Sequence, residues 1–119
     1  MIHLDTSVLV DSLCGTRRSA MAMRSAIAQG ERLGFSAIVL YEWLRGPRVP
    51  AELSGQQALF PGADAIPFGP AEGAVAASLY RRLKKPRGRD VDIAIAATAI
   101  VHGARLWTLN TRDFSDIPG

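Results

Sequence analysis

The chain has 119 residues, room for one small domain and too little interior for two, so residues 1–119 are read as a single domain. Apolar residues make up 48% and charged residues 21%, ordinary globular usage that excludes a disordered or collagen-like chain. No uncharged apolar run approaches the roughly 20 residues of a membrane span, the one cysteine, Cys14, can form no internal disulfide, and no secretory leader pattern opens the sequence; the expectation is a cytoplasmic protein with no membrane partner. The net charge of +3, from 14 basic and 11 acidic residues, mildly favours a polyanionic partner.

Ile2–Leu4 is apolar and β-capable, and Thr6 and Ser7 behind it are placed to cap a helix through Val8, Leu9, Val10 and Leu13 to Gly15. Ser19–Gln29, with Met23, Ile27 and alanines on one stripe and Gly30 as its stop, predicts a second helix. Arg32–Phe35 predicts a buried strand, and Ser36 an N-cap for a helix through Leu44 that ends at Gly46 and Pro47. From Pro47 to Gly69 the prolines at 47, 50, 61 and 67 predict irregular chain, with a short helix near Glu52–Leu59 and a short strand at Ala65–Phe68. Pro70 suits the first turn of a helix whose apolar face is Ala74, Ala77, Leu79, Tyr80 and Leu83, ending before Pro86. Asp90 or a neighbour opens Asp92–His102, apolar nearly all round and therefore buried, with Gly103 closing it and a strand at Arg105–Leu109 following. Strands alternating with helices imply an α/β fold whose parallel sheet is covered by helices, with sites at the carboxyl ends of the strands.

Four acids fall at that edge. Asp5 ends the first strand, Glu42 lies about a turn and a half into the helix after the second, Asp92 opens the long buried helix, and Asp113 follows the last strand. One such acid alone reads as a solvated cap or turn residue; four at one sheet edge read as a cluster. Carboxylates brought within a few ångströms repel, and in a partly desolvated site they take up protons unless a cation is present. An oxygen-only donor set selects a hard ion, magnesium or manganese, over zinc, which prefers imidazole or thiolate. His3 alternates with its neighbours on a strand and His102 sits at a helix stop where it can satisfy carbonyls, so neither is read as a ligand. Asp90 and Asp92 diverge by about 200° on a helix. Asp92 is taken to face the cluster, held ionised by the helix dipole, and Asp90 is read as an N-cap.

Asp5-Thr6-Ser7 after the first strand, Glu42 ahead of Leu44 and Gly46, Asp92 in the run Asp-Ile-Ala-Ile-Ala-Ala-Thr-Ala, and Leu-Asn-Thr-Arg-Asp-Phe from Leu109 to Phe114 together resemble the PIN-domain ribonucleases. More narrowly, they resemble the VapC toxins of bacterial and archaeal toxin–antitoxin pairs. The resemblance spans nearly the whole chain and is most specific from Asp92 to Phe114. It implies a three-layer α/β/α fold with a mainly parallel central sheet, an endoribonuclease site dependent on Mg2+ or Mn2+, a homodimer, and inhibition by a cognate antitoxin. On it the family's acidic quartet, catalytic and metal-holding, falls on Asp5, Glu42, Asp92 and Asp113. Thr6 or Ser7 matches a hydroxyl beside the first acid, and Asn110 a polar position near the last. The short, proline-rich stretch between Gly46 and Pro70 departs from the family pattern.

Phosphodiester hydrolysis needs a nucleophile, an offset for the charge growing on the nonbridging oxygens, and help for the leaving oxygen, much of which a metal with a bound water supplies. Asp5, Glu42 and Asp92 are expected as direct or water-mediated ligands, and Asp113 as a ligand or an orienting group. Arg81–Arg89 reads RRLKKPRGR, six basic residues in nine: a solvated helix end, a sequence-blind grip on the RNA backbone, or a grip on an acidic stretch of antitoxin. A dinucleotide-binding site lacks its glycine-rich loop. A phosphatase or phospho-receiver lacks a second acid beside Asp5 and a late lysine, the only lysines being Lys84 and Lys85. Ser7, Ser12 and Cys14 have no nucleophile elbow or evident His base. The reading that stays open beside the nuclease is a catalytically silent module of the same fold that binds RNA or protein.

Overall fold

The computed structural model describes residues 1–119. Strand β1 (Ile2–Leu4) is the centre of a parallel three-stranded sheet, flanked by β2 (Leu33–Gly34) and β3 (Arg105–Trp107). Ile2 pairs with both Leu33 and Arg105, and Leu4 with Trp107. Parallel neighbours require crossover connections. Helices α1 (Thr6–Leu13) and α2 (Ala20–Ala28) lead from β1 to β2; α3 (Ala37–Arg45), α4 (Pro50–Leu59), α5 (Pro70–Arg82) and α6 (Asp90–Val101) lead from β2 to β3, and α7 (Thr111–Phe114) follows. The architecture is the α/β arrangement, a parallel sheet with helical crossovers, implied by the alternation of elements. No helix is long and apolar enough to cross a membrane.

Leu4 packs with Val8 and Leu9 of α1, Met23 of α2, Phe35, Val39 and Trp43 of α3, Phe60 and Ile95 in one buried cluster. A second cluster joins Leu79 and Leu83 at the end of α5 to Ile93, Ala96 and Ala97 of α6. The apolar circumference of α6 follows from its place in both clusters, and its alanines let α5 approach closely. His3, next to Leu4 and so on the other face of β1, is buried with neither ring nitrogen hydrogen-bonded. Burial, then the charges of His102 and the N-terminal amine, lower its pKa and keep it neutral. The ring of His102 is tilted against it at 5.8 Å. His102 does not satisfy helix-end carbonyls as expected; its Nε2 meets Glu72 Oε2 at 3.0 Å.

Several local expectations hold for local reasons. Ser36 Oγ caps α3 by accepting from the Val39 N–H at 3.1 Å. Pro50 and Pro70 open α4 and α5, and Glu52 and Glu72 turn back to accept from the N–H groups of Val49 (2.9 Å) and Gly69 (3.0 Å). Gly30 and Gly103 take φ of +86° and +61° past the ends of α2 and α6.

Others are corrected. The stretch after Pro47 holds a full ten-residue helix, α4, because Pro50 lies at a first-turn position where its missing N–H costs no hydrogen bond. The strand expected at Ala65–Phe68 reduces to one bridge between Ser36 and Ile66, since Pro67 has no N–H to extend the ladder. Asp90 is not an N-cap but the first residue of α6; Arg89 takes the cap position and its carbonyl accepts from Ile93 N. Strand β3 stops at Trp107, short of the expected Leu109, where the Thr108 side chain turns to a different task.

Candidate functional site

The three strands run in one direction, so their carboxyl ends open on one edge. β1 delivers Asp5, whose N–H still donates to the Trp107 carbonyl at 2.9 Å while its φ of −74° and ψ of 158° place it in the cap position of α1. Thr6 and Ser7, expected to cap the helix backbone, serve acids instead. Thr6 Oγ1 donates to Glu42 Oε1 at 2.6 Å, and Ser7 Oγ donates to Asp5 Oδ2 at 2.8 Å. Thr108 Oγ1, from beyond β3, donates to the same Asp5 oxygen at 2.7 Å. Backbone N–H groups hold the hydroxyls in turn, Leu109 N donating to Ser7 Oγ at 3.0 Å and Asn110 N to Thr108 Oγ1 at 2.9 Å. Asp5 is thereby fixed through Oδ2, with Oδ1 left unbonded.

Asp5, Glu42 and Asp92 line one open cavity of about 450 Å³, whose walls include Thr6, Ser7, Asp11 and Asn110. Asp90 looks into a neighbouring hollow of about 300 Å³, which it shares with Glu42, Arg45, Arg89 and Asp92. Asp113 is exposed and is not among the cavity's lining residues, yet Asp92 feels its charge. Burial, then the negative charges of Asp113, Asp5 and Glu42, push Asp92 up to about 6 against the opposing pull of Arg89. The first-turn position of Asp92 implies the opposite; desolvation and three like charges outweigh the helix dipole.

Of the four acids named from the sequence, three therefore share a cavity and the fourth stands beside it. No three His, Cys, Asp or Glu side chains lie close enough together to grip one ion in this arrangement. The donor chemistry fits a hard divalent cation: every side-chain donor is oxygen, and Asp92 has the raised proton affinity of a carboxylate short of compensating positive charge. Arg45 supplies part of that charge, its Nη2 lying 3.3 Å from Glu42 Oε2 while its guanidinium sits over the Tyr41 ring.

Three contributors escape the reading of the sequence. Asp11 lies four residues past Ser7 and hence on the same helical face; it accepts from Ser19 Oγ at 2.5 Å and lines the cavity, so helical spacing is the signal that finds it. Thr108 is one residue beyond the Leu4–Trp107 pair, as Asp5 is on its own strand, a signal visible only once the register is known. Arg89, the last residue of the basic run, is engaged by the C-terminal segment instead of solvent.

The sequence pattern of the PIN domain matches residues 2–119. The chain belongs to the PIN-domain family. This PIN domain is 36% identical over 117 residues to Ribonuclease VapC19 of Mycobacterium tuberculosis (strain H37Rv), covering 97% of the chain and 93% of the relative. A toxin–antitoxin complex from Klebsiella pneumoniae contains a chain with TM-score 0.76 and 26% identity, covering 99% of this PIN domain and 93% of that chain. The VapBC2 structure from Rickettsia felis, bound to a promoter DNA fragment, gives a TM-score of 0.75 at 23% identity, over 99% of this PIN domain and 94% of that chain, a likeness of fold alone.

Proposed function

We propose that this PIN domain, a single domain over residues 1–119, is a Mg2+- or Mn2+-dependent endoribonuclease and the toxin of a toxin–antitoxin pair. In this reading it is cytoplasmic, acts on RNA as a homodimer, and is inhibited by a cognate antitoxin protein. The observation that carries the reading is the cavity at the carboxyl edge of the sheet, lined by Asp5, Glu42 and Asp92 from three separate elements. Kinship with a ribonuclease at 36% identity, and with a chain solved in a toxin–antitoxin complex, supports the activity and the partner.

Asp5, Glu42 and Asp92 would hold the ion, with Asp113 as a further ligand or an orienting group. When bound, the cation lowers the pKa of water and offsets charge on the nonbridging oxygens of the scissile phosphate. Ser7 and Thr108 hold Asp5, and Thr6 holds Glu42, so two of the carboxylates are oriented before substrate arrives. Asp92, pushed up to about 6 by burial and by the charges of Asp113, Asp5 and Glu42, is a carboxylate whose ionised form a bound cation would favour. The exposed Arg81, Arg82, Lys84, Lys85 and Arg87 offer phosphates a positive approach to an edge that by itself repels a polyanion.

Cleavage of a mixed-sequence RNA tests the reading. Cleavage with Mg2+ or Mn2+, none in EDTA, and a loss of about 100-fold in Asp5→Asn with an unchanged circular dichroism spectrum are the expected results. EDTA-resistant cleavage, or wild-type rates from Asp5→Asn, overturns the mechanism. RNA or antitoxin binding with no cleavage under any metal would identify a silent module instead.

A further inference from the structure

Asp113 is the member of the quartet with least in its own element to hold it. Its helix, α7, has four residues and no side-chain cap from Asn110, too little to be stable alone. Phe114 packs on both hydrophobic clusters and Ile117 on the second, so the apolar side of the segment is held to the core and its polar side is left to other contacts.

Arg89 supplies the missing constraint. Its Nη2 donates to the Asp113 backbone carbonyl at 2.9 Å and to Asp116 Oδ1 at 2.7 Å, while Nη1 donates to Asp116 Oδ2 at 2.9 Å. This is the fork-on-fork geometry that gives an Arg–carboxylate pair its directionality, and it holds Asp116 below the usual carboxylate range. A longer hydrogen bond, Nη1 to the Lys85 carbonyl at 3.4 Å, ties the guanidinium to the preceding turn. Arg89 immediately precedes α6, three residues from Asp92. One guanidinium therefore bridges the start of the helix that carries Asp92 to the helix that carries Asp113. It also differs from the rest of the basic run: Arg81, Arg82, Lys84, Lys85 and Arg87 are exposed, whereas the Arg89 side chain keeps 21% of its surface and spends its donors on protein.

From this geometry we infer that Arg89 and Asp116 are positioning residues, a clasp that sets Asp113 relative to Asp92 and so the grip of the acidic cluster on its divalent cation. The inference rests on the reading of Asp113 as part of the metal site. It also withdraws Arg89 from the surface that meets RNA.

Mn2+ binding to the RNA-free protein, read by electron paramagnetic resonance of the unbound ion, and steady-state RNA cleavage compare wild type with Asp116→Asn, Asp116→Glu, Asp113→Asn and the double variant Asp113→Asn/Asp116→Asn. Asp116 is exposed, so its amide variant should melt in EDTA close to wild type. It should bind Mn2+ about tenfold more weakly and lose kcat with the KM for RNA unchanged. Asp116→Glu should recover most of the loss, and Asp116→Asn should add nothing once Asp113 is Asn. Wild-type Mn2+ binding by Asp116→Asn, beside weakened binding by Asp113→Asn, overturns the clasp and leaves the site reading standing. So does a loss that persists in the Asp113→Asn background, or one that follows a fall in melting temperature and is not recovered by Glu. Wild-type behaviour of Asp113→Asn overturns the site reading and the clasp together.

Discussion

Replacing Asp92 by Asn should stabilise the metal-free protein while ending its activity. The carboxyl titrates at about 6 in the fold against an ordinary 3.8, so the folded state binds its proton more tightly than the unfolded chain does. The cost of ionising Asp92 is absent below about pH 4, grows as the pH rises through about 6, and is complete above about pH 7. For a fully buried group that difference would be worth ~3 kcal/mol. Asp92 is partly open to the water of the cavity, and screening reduces the figure to ~1 kcal/mol. Asn keeps the shape and removes the charge, so in EDTA near neutral pH the variant should melt ~4 °C higher than wild type. The gap should close toward about pH 4. Added Mg2+ or Mn2+ should reverse the order, because an ion that binds only the native state stabilises wild type by mass action and the variant less. Paired melts across this pH range make the assay, since titration of the groups that do not interact with Asp92 cancels in the difference between the two proteins. A variant less stable than wild type at neutral pH in EDTA, or one whose advantage does not change with pH, would refute the electrostatic account of the cluster.

Neutralising Arg82, Lys84, Lys85 and Arg87 together should weaken RNA binding across sequences and lower the log–log salt slope by up to ~3, about 0.7 for each phosphate no longer neutralised, without changing Mn2+ binding. Equal slopes and affinities would remove this exposed segment from the RNA path, and loss of antitoxin binding with RNA binding intact would assign it to the partner. Ser36→Ala should cost about 1 kcal/mol through removal of the α3 cap, measured by urea denaturation in EDTA. A cost near zero would mean that the Val39 N–H finds water in its place, although Ser36 is buried.

What the residues determine by themselves is what depends on neighbours close in the chain. Ser36 as a cap, Pro50 and Pro70 in first turns, the glycines at 30 and 103, and the apolar run of α6 act through bonds and sterics reaching a few residues, so the alternation of strands and helices, the parallel sheet and its functional edge are legible in them. The acids are legible too, because Asp5 and Asp113 follow strands, Asp92 lies in the first turn of a helix, and Glu42 lies about a turn and a half into the helix after the second strand. The remainder depends on residues that meet only after folding. Thr108 reaches Asp5 across 103 positions of chain, and Arg89 reaches Asp116 across 27; neither partner has a local reason to be where it is. The same holds for Asp92. Its place in the first turn of a helix argues for an ionised carboxylate, but burial and the charges of Asp113, Asp5 and Glu42 add through space and exceed the local dipole. Asp113 itself follows the last strand in the sequence, yet its place beside the cavity depends on the packing of Phe114 and the bonds of Arg89. Electrostatics and long-range hydrogen bonds depend on distance between atoms and not along the chain, so only the tertiary structure decides them.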